Sequence, residues 1–409
     1  MNYYKRELHL RKIRGFYEDT GLIKVITGVR RCGKSCLMAT IADEMRERGI
    51  DDAHIVYLDL DNRPFRHVKT PDSLERLIDE RTPSSGTTYL FIDEIQNVNG
   101  FEEVVNAFRN EGRHSIFITG SNSYLLSGEL ATKLTGRYLE FEMFPLTFDE
   151  FIGIKGFLGK DVSPDLLDEF DLYLRSGGFP KAVQYDSADD RRTYIEGVVA
   201  EIFAKDIRRR IKIRNFSVFQ KVQTYLVNNF GATTSLANLL ADLEKAGTHL
   251  KRETLNRYIG ILKDAKILYE CNRFDLKSRR SIGGEQKYYL SDLGFYFATN
   301  TDNRINYGPA LENVIYTYAR SHGYAVGVGR IGSLECDFIL RRGDAGYAYV
   351  QACMTMMSDR KTEDREYAPL EKIRDNYPKY ILTRNDPIQN RNGIIHRNLP
   401  EFMRDGTAF

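Results

Sequence analysis

The chain has 409 residues, enough for two to four domains with sizeable cores. Its 59 Lys and Arg against 57 Asp and Glu leave a net charge of +2, which excludes a globally polyanion-seeking protein but allows local basic patches. No apolar run approaches the roughly 18 residues of a membrane-spanning helix, and the five cysteines (Cys32, Cys36, Cys271, Cys336, Cys353) show neither zinc spacing nor a disulfide framework.

The opening stretch, MNYYKRELHLRKIRG, lacks the apolar core of a secretory signal and reads as a basic, partly helical lead-in. Together with the scattered cysteines it points to reducing cytoplasm. LIKVIT (22–27) is a β-branched run that reads as a buried strand. GVRRCGKS (28–35) follows and fits G-x-x-x-x-G-K-[ST], and CLMATIADEMRERG (36–49) has apolar residues at helical spacing. Strand, glycine loop and helix wrap backbone N–H groups around phosphates at a helix N-terminus. The expected cradle is Gly28, Val29, Arg30, Arg31, Cys32, Gly33, Lys34, Ser35 and Cys36. Gly28 and Gly33 let the backbone turn tightly, Lys34 reaches the β- and γ-phosphates, and the Ser35 hydroxyl ligates Mg²⁺. Cys32 and Cys36 flank this loop, so thiol modification there is a candidate way to block nucleotide binding.

HIVYLDLDN (54–62) is a further strand pattern, and TPSSGTT (82–88) reads as a loop. TTYLFIDEIQNV (87–98) is then an apolar strand ending in Asp93-Glu94. In nucleotide hydrolases an Asp at such a strand end holds Mg²⁺ through its water shell, and a carboxylate directly after it polarises the attacking water. The expected metal residues are therefore Ser35 and Asp93, and the expected catalytic ones Lys34 and Glu94.

The loop pattern G-x-R-R-x-G-K-[ST], the added strand at 54–62 and the Asp-Glu pair resemble prokaryotic AAA-type ATPases, which are similar to the STAND group of signal-transducing ATPases. The resemblance runs from roughly 20 to 405. It continues in SIFITGSNSYLL (115–126), where it implies a γ-phosphate sensor at Ser121 or Asn122. In LTGRYLEFEMFPLTFDEF (134–151) it implies the end of the core and offers Arg137 as a residue that senses γ-phosphate charge, in cis or across a subunit interface. Action in trans would require an oligomer. The resemblance also carries the preference for ATP over GTP.

From 146 to 212 the pattern is helical, which after such a core implies a lid over the nucleotide. Gly177-Gly178-Phe179-Pro180 interrupts it, either beside the adenine as the resemblance implies or as a plain helix stop. KDIRRRIKIR (205–214) is a basic cluster that could meet nucleic-acid phosphates or form a solvated face. Residues 216–290 read as a winged helix-turn-helix. Ser235 is an N-cap, and Leu255, Tyr258, Ile259 and Leu262 lie on one face of the third helix. Strands ILYECNRF and QKYYLSD flank a polar tip, DLKSRRSIGGE. Such a module binds DNA, or serves protein contacts or nucleotide sensing.

The last segment resembles a C-terminal domain of unknown function related in fold to PD-(D/E)XK nucleases. It offers Glu312 on a helix and Glu335 and Asp337 on a strand, but Gln351-Ala352-Cys353 stands where Glu-x-Lys is needed, which argues against cleavage unless Lys361 or Lys372 enters the site. The fold class is thus α/β: a phosphate-loop AAA-like core at 1–145, a helical lid at 146–212, a winged helix at 213–290 and a nuclease-like domain at 291–409. The expected function is Mg²⁺-dependent ATP hydrolysis driving a conformational switch. The alternatives are ATP-gated DNA binding with little turnover, and an ATP-licensed nuclease. A protein partner is expected without a named identity.

Overall fold

Alternating apolar positions and β-branched residues build the first sheet. In the computed structural model, which describes residues 3–120, 136–208, 213, 215–276, 280–300, 304–343, 346–357 and 359–409, the chain divides into two units, Met1–Met143 and Phe144–Phe409. In the first unit, α1 (Glu7–Ile13) precedes β1 (Ile23–Gly28), and α2 (Lys34–Glu47) follows it directly. Then come β2 (Ile55–Asp59), α3 (Pro71–Asp79), β3 (Thr88–Asp93), α4 (Phe101–Asn110), β4 (His114–Thr119) and β5 (Tyr138–Met143).

The five strands are parallel in the order β2-β3-β4-β1-β5. A strand buried on both faces is apolar along most of its length, and every residue of β1, β3 and β4 is buried, with the polar ones near the strand ends or partnered. One face packs Val25, Leu58, Leu90, Ile92, Ile116 and Ile118 against Leu74, Ile78, Val104 and Phe108 of α3 and α4. On the other face Phe91 stacks on Phe117 with ring centroids 4.8 Å apart.

Lys24 is fully buried on that second face, 4.6 Å over the Phe117 ring, and donates to the Ser115 hydroxyl at 2.9 Å. Burial pulls its ammonium from 10.5 down to about 7. Between about pH 7 and pH 10 the unfolded chain therefore binds the proton that the folded chain has lost, and stability rises with pH across that window. Lys24→Met is expected to flatten this slope. Urea midpoints taken at several pH values check it, and equal slopes in the two proteins would reject it.

The second unit holds an eight-stranded sheet in the order β13-β12-β11-β10-β9-β7-β8-β6. Its strands are β6 (Thr233–Ser235), β7 (Leu268–Asp275), β8 (Arg280–Leu290), β9 (Ala325–Ile331), β10 (Leu334–Arg341), β11 (Tyr347–Cys353), β12 (Lys379–Thr383) and β13 (Ile395–Asn398). Helices Phe148–Phe157, Leu166–Ser176 and Ala188–Glu201 come first, then Phe216–Asn228, Leu236–Lys245 and Arg252–Asp264. Ser235 caps the helix Leu236–Lys245 by accepting from the Asn238 N–H, and Leu255, Tyr258, Ile259 and Leu262 are buried.

Two features differ from the sequence reading. β8 begins at Arg280, so the stretch read as a polar tip is mostly strand. The register shifts between Asn272 and Arg273, and a bulge in β8 takes up the extra residues. Second, β7 pairs in parallel with β9 from Arg273↔Val328 to Asp275↔Arg330. The boundary drawn at 290/291 therefore falls inside one sheet.

The Gly177-Gly178 pair is accounted for by packing. Gly177 has φ +68°, and a Cβ there would lie 1.8 Å from Asp292 Oδ1; one on Gly178 would lie 2.3 Å from the Leu146 carbonyl. The buried Asp292 carboxylate accepts from the Gly178 and Gly294 N–H groups, and burial pushes it up to about 7.

Candidate functional site

The loop 28–35 leaves β1 and enters α2 without a spare residue. Gly28 has φ +140°, and a Cβ there would sit 2.2 Å from the Met143 carbonyl of β5, so the position admits no side chain. Gly33, at φ +108°, is the N-cap of α2 and has no side chain to cap its first-turn N–H groups. Those groups and the dipole behind them suit an anion. Arg31 adopts φ +69°, and Cys32 N–H turns back to the Val29 carbonyl at 3.3 Å. Val29, Arg30 and Cys32 are buried, whereas Arg31, Ser35 and Cys36 are exposed. The Arg6 guanidinium, just before α1, donates to the Cys32 carbonyl at 3.0 Å and fixes the loop from behind.

Lys34 is buried, and its ammonium donates to the Gly28 and Val29 carbonyls at 3.0 and 3.1 Å. The loop's glycines, its uncapped helix start and this lysine fit a nucleotide's phosphates. The Cys36 thiol is pushed above its ordinary value by desolvation and by the Asp93 charge. It is therefore no activated thiolate, and of the two thiols flanking the loop Cys36 is exposed and Cys32 buried.

Asp93 ends β3, is 2% exposed, and receives the Thr119 hydroxyl on Oδ1. The same Thr119 oxygen accepts the Glu94 N–H at 3.0 Å. Thr119, fully buried at the end of β4, thus ties both acids to the neighbouring strand. Sequence reasoning missed it, because a threonine in a strand looks like any other. Glu94 takes the left-handed backbone, φ +55° and ψ +46°, uncommon for a residue with a Cβ. The Gln96 amide donates to its carboxylate. Burial pushes the Glu94 carboxyl up, and the Lys34 and Arg30 charges pull it down without cancelling the rise.

Other expected residues lie elsewhere. Ser121 and Asn122 fall outside the described residues, as does most of the basic cluster at 205–214. Arg137 stands just before β5, and its carbonyl receives the Ile23 N–H at the start of β1. The phosphate loop begins at the opposite end of β1, about 17 Å away at the rise of a strand. The reading of Arg137 as a cis sensor is therefore corrected. Its guanidinium is exposed, 3.4 Å from Asn106 Oδ1.

In the second unit, Glu312, Glu335 and Asp337 do come together, but around a lysine of β8. Lys287 Nζ is 2.9 Å from Glu312 Oε2 and 3.0 Å from Glu335 Oε1, and Tyr289 OH donates to Glu312 at 2.7 Å. Burial lowers the Lys287 ammonium, but Glu312, Asp337 and Glu335 together outweigh it and the net shift is upward. Asp337 is pushed well above the usual carboxylate range by burial and by the Glu312 charge. Gln351 donates to Glu366 at 3.0 Å, and Cys353 is buried. Lys361 and Lys372 are both exposed on the helix Arg360–Lys372. Among the described residues no group of three or more His, Cys, Asp or Glu is arranged to hold a metal ion, and no helix is long and apolar enough to cross a membrane.

Comparison with known proteins agrees with the first unit's geometry. Residues 20–152 match the family model described as an AAA domain, and residues 167–304 match a domain of unknown function (DUF8612). An uncharacterized protein of Haemophilus influenzae is 34% identical over 380 residues, covering 92% of each chain. An uncharacterized protein of Methanocaldococcus jannaschii is 29% identical over 378 residues, 89% of this chain and 82% of that one. A Walker-type ATPase of Pyrococcus abyssi shares the fold at 14% identity and a TM-score of 0.50, over 73% of this chain and 95% of that one. The chain belongs to one family with the Haemophilus influenzae protein, and its residues 20–152 match an AAA domain.

Proposed function

We propose that the chain binds ATP with Mg²⁺ and hydrolyses it, using the cycle as a conformational switch in the cytoplasm. The observation that supports it most is the meeting, at the C-terminal ends of β1, β3 and β4, of the phosphate loop with Asp93, Glu94 and Thr119. The loop's N–H groups and Lys34 hold the phosphates, and Ser35 and Asp93 hold the cation. Mg²⁺, when bound, supplies charge that neutralises the phosphate oxygens. Glu94 accepts the proton of the attacking water, and Thr119 holds both acids at their strand ends.

A DNA-coupled form of this switch is a second reading. It is supported by three helices followed by the β7–β8 hairpin, and by Lys251, Arg252 and Arg257 exposed on the third helix. The helical segment 146–212 would act as the lid, and Arg137 could contribute only from a neighbouring copy. A nuclease reading has less support. The order helix, β9, β10, β11, helix, β12 suits the nuclease-like fold, but Lys287 already occupies the carboxylates and Gln351 adds no charge.

The test is Mg-ATP turnover of the purified protein with and without duplex DNA. Turnover is expected, and to fall by about 10² or more in Lys34→Ala, since one phosphate-stabilising donor is worth that much. Absence of turnover and of ATP binding in the wild-type protein would reject the proposal. Stimulation by DNA would favour the second reading.

A further inference from the structure

We propose that Asp59 is a second carboxylate for the nucleotide's divalent cation, acting beside Asp93 through the cation's water shell. The inference rests on the nucleotide reading above and extends it to a residue outside the phosphate loop and the Asp93-Glu94 pair.

β2 and β3 are parallel and in register, with Tyr57 opposite Phe91 and Asp59 opposite Asp93. In-register neighbours point to the same face of a sheet, and side chains two apart share that face. The stacked rings of Tyr57 and Phe91, centroids 5.9 Å apart, show this directly. The Tyr57 hydroxyl reaches the Ser35 carbonyl at 3.4 Å. The face that carries Asp59 and Asp93 is thus the face over which the first turn of α2, with Ser35 in it, lies.

Asp59 is half-buried there, and its Oδ1 accepts the Asp61 N–H at 3.0 Å. Among the described residues neither Asp59 nor Asp93 has a Lys, Arg or His ion-pair partner. Two adjacent, partly buried carboxylates without a counter-charge repel each other, and a shared cation relieves that repulsion. A turn residue alone would need an acceptor at this position but no charge.

Asp59→Asn separates the two roles, since the amide keeps an Oδ1 for the Asp61 N–H and removes the charge. The probe is Mn²⁺ titrated by electron paramagnetic resonance into the full chain with a non-hydrolysable ATP analogue. Asp59→Asn is expected to weaken Mn²⁺ binding about tenfold, the size of an outer-shell ligand effect. Analogue binding in excess chelator should stay unchanged. Asp93→Asn, run beside it, should also weaken Mn²⁺ binding. Weakening in Asp93→Asn with wild-type affinity in Asp59→Asn would overturn this inference and leave the nucleotide reading standing. No nucleotide-dependent Mn²⁺ uptake by the wild-type chain would overturn both.

Discussion

Glu94→Gln is expected to cut ATP turnover by about 10²- to 10⁴-fold while ATP still binds, the range for loss of a positioned general base. Gln is nearly isosteric, so the left-handed backbone at φ +55° and the Glu94 N–H bond to Thr119 can persist. What disappears is the negative charge that takes the water's proton. Burial already raises this carboxyl, and the Lys34 and Arg30 charges limit the rise. Phosphate release gives the rate, and a fluorescent ATP analogue gives the affinity. Turnover equal to wild type would remove Glu94 from the mechanism. A loss of affinity as large as the loss of rate would make it a structural residue instead.

Lys287→Met is expected to destabilise the second unit by about 3–5 kcal/mol, the usual cost of removing one partner from a buried ion pair. The ammonium stem is packed in the sheet, and Met replaces its volume. Glu312, largely buried, and Asp337, fully buried, are then left without this cation, whereas Glu335, a third exposed, keeps its ion pair with Arg273. Urea unfolding checks the size of the effect. Adding Glu312→Gln should recover part of the loss, because an amide needs no counter-charge. An unchanged midpoint for Lys287→Met would show that water, not Lys287, compensates these acids.

The phosphate loop and Asp93-Glu94 were legible because their chemistry is local. Gly28 must leave room for the Met143 carbonyl, Gly33 must take a positive φ, and the lysine must follow at once, so the spacing itself carries the site. Thr119 was not legible, since its role depends on β4 lying beside β3. Arg137 misled for the same reason. Only the parallel pairing of β5 with β1 tells which end of the sheet it occupies. Lys287 stands 25 residues before Glu312 in the chain, on the strand assigned to another module, and no spacing rule joins the two. The polar residues of 275–285 read as a tip, but pairing with β7 draws residues 280–285 into a bulged strand.

The β7–β9 pairing makes the C-terminal half something other than beads on a string. Cutting after residue 290 would split one hydrogen-bonded sheet and lay bare two raw edges, β7 on one fragment and β9 on the other, each a template for stray strands. Within the intact chain, the same seam means that the hairpin cannot swing on a tether. Any force on the three helices before it is delivered to strands β9–β13 as through a plank, without slack.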